Sequence, residues 1–110
     1  MGYVPNQGDI IMMDFDPQKG FEQRGRRPAL IVSNNTYNQH CKLSIVCPIT
    51  TTDKSHAFHI PLNSDAGITG VILCDQVRSM DIRARNADYV GFISDEILDK
   101  VIDLVYSFVE

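Results

Sequence analysis

Apolar residues recur along the chain in short clusters separated by turn-forming residues. Ile10 to Phe15 is a run bounded by Gly8-Asp9 and Asp16-Pro17, and Pro28 to Ser33 is a second, stopped by Asn34-Asn35. Leu43 to Cys47 ends at Pro48, and His56 to Leu62 alternates loosely before Asn63-Ser64-Asp65. Gly70 to Cys74 follows, Val77 to Ile82 continues it after a bend, and Tyr89 to Ile93 is the last. Short β-branched runs with turn residues between them predict an antiparallel sheet or small barrel. The period then changes. Ile97, Leu98, Val101, Ile102, Leu104, Val105, Phe108 and Val109 fall at helical spacing. Ser94 is placed to cap that helix, with Asp95 and Glu96 in the first turn where the helix dipole favours negative charge. Asn35 to Gln39 is a candidate for a short additional helix. The expected class is α+β: a compact antiparallel, barrel-like sheet with a C-terminal helix.

Residues 1–110 make a single domain's worth of sequence, small enough that association with a second copy would add to its stability. Apolar residues are 44% and charged residues 22%, an ordinary globular balance. No run approaches the length needed to span a bilayer, and the first residues lack the basic and apolar regions of a secretory signal. Cys41, Cys47 and Cys74 are odd in number and sit in or beside apolar stretches, which suits reduced thiols more than a disulfide framework. The expectation is a cytoplasmic protein without a membrane partner.

A net charge of −4 argues on its face against a nucleic-acid partner. Its distribution changes the picture. Residues 88–110 hold six acidic side chains and one lysine; removing them from totals of 14 and 10 leaves 8 acidic and 9 basic residues. The densest basic cluster is Lys19, Arg24, Arg26 and Arg27, interrupted by Glu22. It lies in a loop of about a dozen residues, Asp16 to Arg27, and loops of that length in compact domains are disproportionately functional. Arg27 stands where the loop enters a strand, so the sheet should hold its backbone. A second feature is Thr50-Thr51-Thr52 after Pro48-Ile49. Its hydroxyls suit a phosphate, although threonines at a strand end also satisfy β propensity and turn groups.

Other signals carry less. His56 and His59 are three apart, which on a strand puts them on opposite faces. No Cys-x-x-Cys or acidic ligand pair accompanies them, so no metal and no cofactor is expected. His40-Cys41 is a dyad only on paper, and Cys47 and Cys74 suit the core better than nucleophilic chemistry.

Gly8-Asp9-Ile10-Ile11, Asp14-Phe15-Asp16-Pro17, Gly20-Phe21-Glu22-Gln23 and Arg27-Pro28-Ala29-Leu30-Ile31-Val32-Ser33 resemble the opening of the MazF/PemK/Kid toxins. Pro48-Ile49-Thr50-Thr51 and the stretch from Gly70 to Asp81, with Asp75-Gln76-Val77-Arg78-Ser79 inside it, resemble that family's later blocks. The likeness runs in order over nearly the whole chain. It implies an SH3-like β-barrel with attached helices that forms a twofold homodimer. It also implies sequence-specific, metal-free cleavage of single-stranded RNA, chiefly mRNA, which arrests translation. The implied partner is a MazE-type antitoxin with a flexible, acidic and hydrophobic tail.

Metal-free cleavage uses the ribose 2′-OH as internal nucleophile, so a proton must leave that hydroxyl, another must reach the departing 5′-oxygen, and charge on phosphorus must be stabilised. By resemblance Arg27 and Thr50 match catalytic positions, and Glu22 is the hypothetical base. Arginine suits charge stabilisation and is a poor proton carrier, because its pKa exceeds 12. Gln18, Lys19, Gln23, Arg24 and Gln76 are candidate base readers. Phe21 stands where some relatives carry histidine, and would stack on a base or cap the core. Leu73 stands where some carry arginine, leaving Asp75 as a candidate for RNA contact, for holding Arg78, or for a structural role. A rival of the same fold poisons DNA gyrase through a Trp-Gly-Ile C-terminus, whereas this chain has no tryptophan. A barrel that binds RNA without cutting it is the other rival. The acidic helix, if it lies away from the RNA groove, would confine RNA to the basic face.

Overall fold

A computed structural model describes residues 3–15, 25–51, 58–63 and 66–109. Seven strands and two α-helices follow in the order β1 (Asp9–Asp14), β2 (Arg26–Ile31), α1 (Asn35–His40), β3 (Ser44–Thr50), β4 (His59–Pro61), β5 (Val71–Leu73), β6 (Arg78–Met80), β7 (Asp88–Phe92) and α2 (Asp95–Ser107). The expected α+β class holds. Every strand pairing is antiparallel, in the path β4-β5-β3-β2-β1-β7, with β6 also paired to β3. Among the described residues the sheet is not closed, since β4 and β7 end that path without pairing to each other. Among the described residues no helix is long and apolar enough to cross a membrane.

The expected continuation of Val71–Leu73 into a following strand takes a definite form. β5 and β6 lie on the same edge of β3, with Ile49 opposite Ile72 and Val46 opposite Arg78. The residues between them make a 3-10 turn over Cys74–Gln76. A second 3-10 turn, Ile82–Arg85, was not legible in the hydrophobic pattern. Asp81 caps it by accepting from the Ala84 amide at 3.3 Å, and Asn86 leaves it in the left-handed region at φ 56°. β4 is shorter than the run from His56, whose first two residues lie outside the described ones.

Alternation along the strands sends apolar side chains to both faces of the sheet, forming two clusters. Ile10, Leu30, Cys47, Ile49 and Ile72 pack on one face under Ile97 and Val101 of α2. Ile11, Met13, Phe15, Ala29, Ile31 and Val46 pack on the other with Met80 and Ile82. Ile97 and Val101 are one helical turn apart, as the periodicity requires. The Ser94 hydroxyl accepts from the Ile97 amide at 3.3 Å, so the predicted cap is present. The short helix α1 is capped likewise by Asn34, which accepts from the Tyr37 amide at 2.8 Å. Buried Asn38 fastens α1 to the chain, donating to the carbonyls of Ser33 and Pro5 at 2.9 and 3.2 Å.

Leu30 lies in a strand paired on both sides and is fully buried. Leu30→Ala should cost about 2–5 kcal/mol through lost burial and the cavity left behind. Ser94→Ala should cost about 1 kcal/mol through loss of the cap. Urea midpoints at fixed protein concentration check both, and equal midpoints for the two variants would contradict this ranking.

Candidate functional site

The register of the central strands decides which side chains share a face. Met13 pairs with Arg27 and Ala29 with Pro48. The β2–β3 pairs end at Ala29 and Pro48, two residues short of Arg27 on one strand and of Thr50 on the other, and Thr50 pairs with Val71. Alternation puts Arg27 on the face of Ala29 and Ile31, and Thr50 on the face of Val46, so the two residues share one face of adjacent strands. This is the face away from α2, because Leu30, Cys47 and Ile49 point toward the helix. Thr50 is buried at 3% exposure and Arg27 is half-buried.

The adjacent arginine is used differently. Arg26 faces the other way and bridges Asp14 at 3.3 Å and Asp88 at 2.6 Å, joining β2 to β1 and β7. Asn86 donates to the Asp14 carboxylate at 2.7 Å, and Arg85 donates to the Asp14 carbonyl at 3.2 Å. The Asn86 hydrogen bond, with Arg26 adding to it, holds the Asp14 carboxyl below the usual carboxylate range. With Arg26 fixed on one face, strand alternation presents Arg27 on the other. At the same end of the sheet the Phe15 amide donates to the Gly25 carbonyl at 2.9 Å. This bond closes the base of the loop that holds Gln18, Lys19, Phe21, Glu22, Gln23 and Arg24. Those six candidate residues lie outside the described ones.

Gly70 makes room beside Thr50. Its φ is +145°, and an added Cβ would lie 2.9 Å from a methyl of Ile49 and 3.0 Å from the Thr50 carbonyl oxygen. No other residue fits without displacing the backbone there.

Asp75 and Gln76 lie in the 3-10 turn, which packs against β3, β4 and α2, and Arg78 follows opposite Val46. Sequence reasoning set aside one participant, His59. It pairs across the strands with Leu73, and its Nε2 lies 3.0 Å from Oδ1 of Asp75. The His59 side chain is 6% exposed and that of Asp75 is 41% exposed. No local motif marks this pair, because 16 residues separate the partners. The structure gives Asp75 a histidine partner, which was not among the roles expected for it. Cys47 and Cys74 pack in the helix-side cluster, where a hydrogen bond to Cys74 and burial push the Cys47 thiol up. For Cys47 that is a core environment, not that of a nucleophile, while the same hydrogen bond draws the Cys74 thiol down. Among the described residues no group of three or more His, Cys, Asp or Glu side chains is placed to hold a metal ion.

Comparison with known proteins matches residues 6–109 to the model of the PemK-like, MazF-like toxins of type II toxin–antitoxin systems. The chain belongs to this family. It is 41% identical over 99 residues to the endoribonuclease toxin MazF of Escherichia coli (strain K12), covering 90% of this chain and 88% of that one. The crystal structure of MazF from Deinococcus radiodurans superposes with a TM-score of 0.91 at 37% identity, covering 98% of each chain. A MazE–MazF structure from the same organism gives 0.83 at 32% identity, covering 98% of this chain and 97% of that one. The resemblance seen in the sequence blocks is thus a family relationship, and the open curled sheet with its C-terminal helix is the MazF toxin fold.

Two outcomes follow from the MazF-type geometry. Gly70→Ala should shift Thr50 and lower the activity of the site more than it lowers the unfolding midpoint; unchanged turnover would show that the close approach is immaterial. Asp14 has a depressed folded pKa, so the stability it contributes is present above its ordinary value of 3.8 and is lost as pH falls below it. Asp14→Asn should therefore flatten the acid limb of the stability curve, measured by denaturation between pH 2 and 6.

Proposed function

We propose that this chain is the toxin of a type II toxin–antitoxin pair and acts as a sequence-specific endoribonuclease. It cuts single-stranded RNA, chiefly mRNA, without a metal ion, works as a cytoplasmic homodimer, and is neutralised by a MazE-type antitoxin. The observation that carries this reading is that Arg27 and Thr50 share one face of adjacent strands, next to the end of the sheet where the Phe15 amide donates to the Gly25 carbonyl. The family membership, the endoribonuclease names of its relatives and the existence of MazE–MazF complexes among its structural neighbours support it.

In this mechanism Arg27 binds two oxygens of the scissile phosphate with its planar fork and stabilises the charge that grows on the five-coordinate phosphorus. Thr50 positions the phosphate or the 2′-OH for in-line attack, a contribution of orientation. The 2′-oxygen bonds to phosphorus, the bond to the 5′-oxygen breaks, Glu22 takes the proton from the 2′-OH, and solvent water donates the proton that the departing 5′-oxygen takes up. The products are a 2′,3′-cyclic phosphate and a 5′-OH. Gln18, Lys19, Phe21, Gln23 and Arg24 in the loop, and Gln76 and Arg78 from the 3-10 turn and β6, contact the RNA on either side. The acidic residues of α2 lie across the sheet from Arg27 and Thr50, so they repel phosphate from the far side of the protomer.

The test is cleavage of a long, weakly structured RNA in excess EDTA, with cut ends mapped and chemically typed. Wild-type protein freed of antitoxin should cut at discrete sites, and Arg27→Ala should lower the rate about 100-fold or more. Absence of cutting by the wild type would mark a binding protein or a gyrase poison instead. Glu22→Gln should remove the acid limb of the pH–rate profile; full cleavage by that variant across pH would take Glu22 out of the base role.

A further inference from the structure

Cys47 and Cys74 come from different elements and meet inside the helix-side core. The β3–β5 pairs are Thr50 with Val71 and Ile49 with Ile72, and each cysteine lies two residues beyond that last pair on its own segment. Both belong with Ile49 and Ile72 to the cluster under α2, and both are fully buried. The turn that begins at Cys74 packs on β3, and the two thiols share a hydrogen bond. Cys74 donates to the carbonyl of Ile72 at 3.8 Å, so in the shared bond its sulfur accepts and Cys47 donates.

Hydrogen-bonded thiols are one oxidation from a disulfide, in which the sulfurs close to about 2.0 Å. Their surroundings make the two unequal. The hydrogen bond from Cys47 favours the thiolate at Cys74, and the same bond with burial keeps Cys47 a thiol. Cys74 also stands at the rim of the core, beside exposed Asp75, whereas Cys47 lies in the middle of β3. Local opening of the turn therefore admits a small oxidant to Cys74 first. The third cysteine, Cys41, is exposed at the end of α1 and belongs to neither core cluster.

We infer that Cys47 and Cys74 are a reversible redox switch, closed to a disulfide by hydrogen peroxide, which draws the turn over Cys74–Gln76 onto β3. In the first step the Cys74 thiolate attacks a peroxide oxygen and the O–O bond breaks. Cys74 becomes a sulfenic acid, and the departing hydroxide takes up a proton. The Cys47 sulfur then attacks the Cys74 sulfur, the S–O bond breaks, and the hydroxyl leaves with the Cys47 proton as water. Two thiols lose two electrons and two protons, and one peroxide becomes two waters. A dithiol reductant reverses the bond. The consequence for the site rests on the nuclease reading above. β3 carries Thr50 three residues after Cys47, while the turn carries Gln76 and leads into Arg78. A pull between them moves the RNA-contacting side chains relative to Thr50, and a misplacement of about 1 Å can cost about 100-fold in rate.

The experiment uses the antitoxin-free full chain carrying Cys41→Ser, treated with hydrogen peroxide and then with dithiothreitol. Oxidation should remove two hydrogens in mass and join the tryptic peptides 43–54 and 55–78 through their cysteines. The unfolding midpoint should rise by about 5 °C or more, because the link constrains the unfolded chain. RNA cleavage should fall about 10-fold or more and recover in dithiothreitol. Cys74→Ala in the same background, or Cys74→Ser if that variant does not fold, should cut at the same rate with and without peroxide. Cys47→Val should add oxygen at Cys74 without a link, trapping the first step. Two thiols that stay free in peroxide overturn the inference, as does a link that leaves cleavage unchanged, or an equal loss of cleavage in Cys74→Ala. If the reduced chain cuts no RNA, the nuclease reading falls on its own. The joined peptides with a raised midpoint then still support the thiol pair, and their absence overturns it.

Discussion

The ladder between β2 and β3 runs through the middle of the sheet, with Leu30 and Cys47 packed on one face and Ala29, Ile31 and Val46 on the other. A slip of one residue in this pairing would turn every buried side chain of one strand to the wrong face, so the register is strongly specified. The same alternation sets Arg27 and Thr50 on one face of the two strands. The cores on either side of the sheet thus determine where the candidate chemistry sits, and neither residue depends on a loop for its backbone position. Adjacent elements reinforce this arrangement: the Asp14–Arg26–Asp88 bridges hold the start of β2, and Gly70 allows β5 to enter close against Thr50.

Much of this was legible in the sequence, for identifiable reasons. Strand positions followed from turn residues at regular intervals, and α2 from its period and the Ser94 cap, because these depend on local chemistry. Arg27 and Thr50 were visible through their position at a loop–strand junction and a strand end, and through the family likeness of the blocks around them. The 3-10 turn at Ile82–Arg85 was missed because its stabilising elements, the Asp81 cap and the left-handed Asn86, leave no periodic trace. The His59–Asp75 contact was missed for a different reason. It depends on β4 and β5 pairing in one particular register, and spacing arguments applied to His56 and His59 looked only within a strand. Glu22 and its loop neighbours rest on the resemblance, since they lie outside the described residues.

Charge is sorted by face as well as by segment. Asp95, Glu96, Asp99 and Asp103 stay exposed on the helix that covers one core, while Arg27 lies across the sheet. A chain of net charge −4 is therefore compatible with a polyanionic substrate, because the field at the site is set locally. The relevant quantity is the potential over one face, which bulk isoelectric point does not report.

The hydrogen bond from the Phe15 amide to the Gly25 carbonyl has a consequence for divergence within the family. It joins through the sheet the two residues that flank the segment from residue 16 to residue 24. Loop closure cost grows only slowly with length, so insertions or exchanges there are inexpensive for the fold. On the proposed nuclease reading, base preference changes by exchange of that segment while Arg27 keeps its place on the face of Thr50. Relatives with the same cleavage chemistry and different target sequences are what such a division of labour would generate.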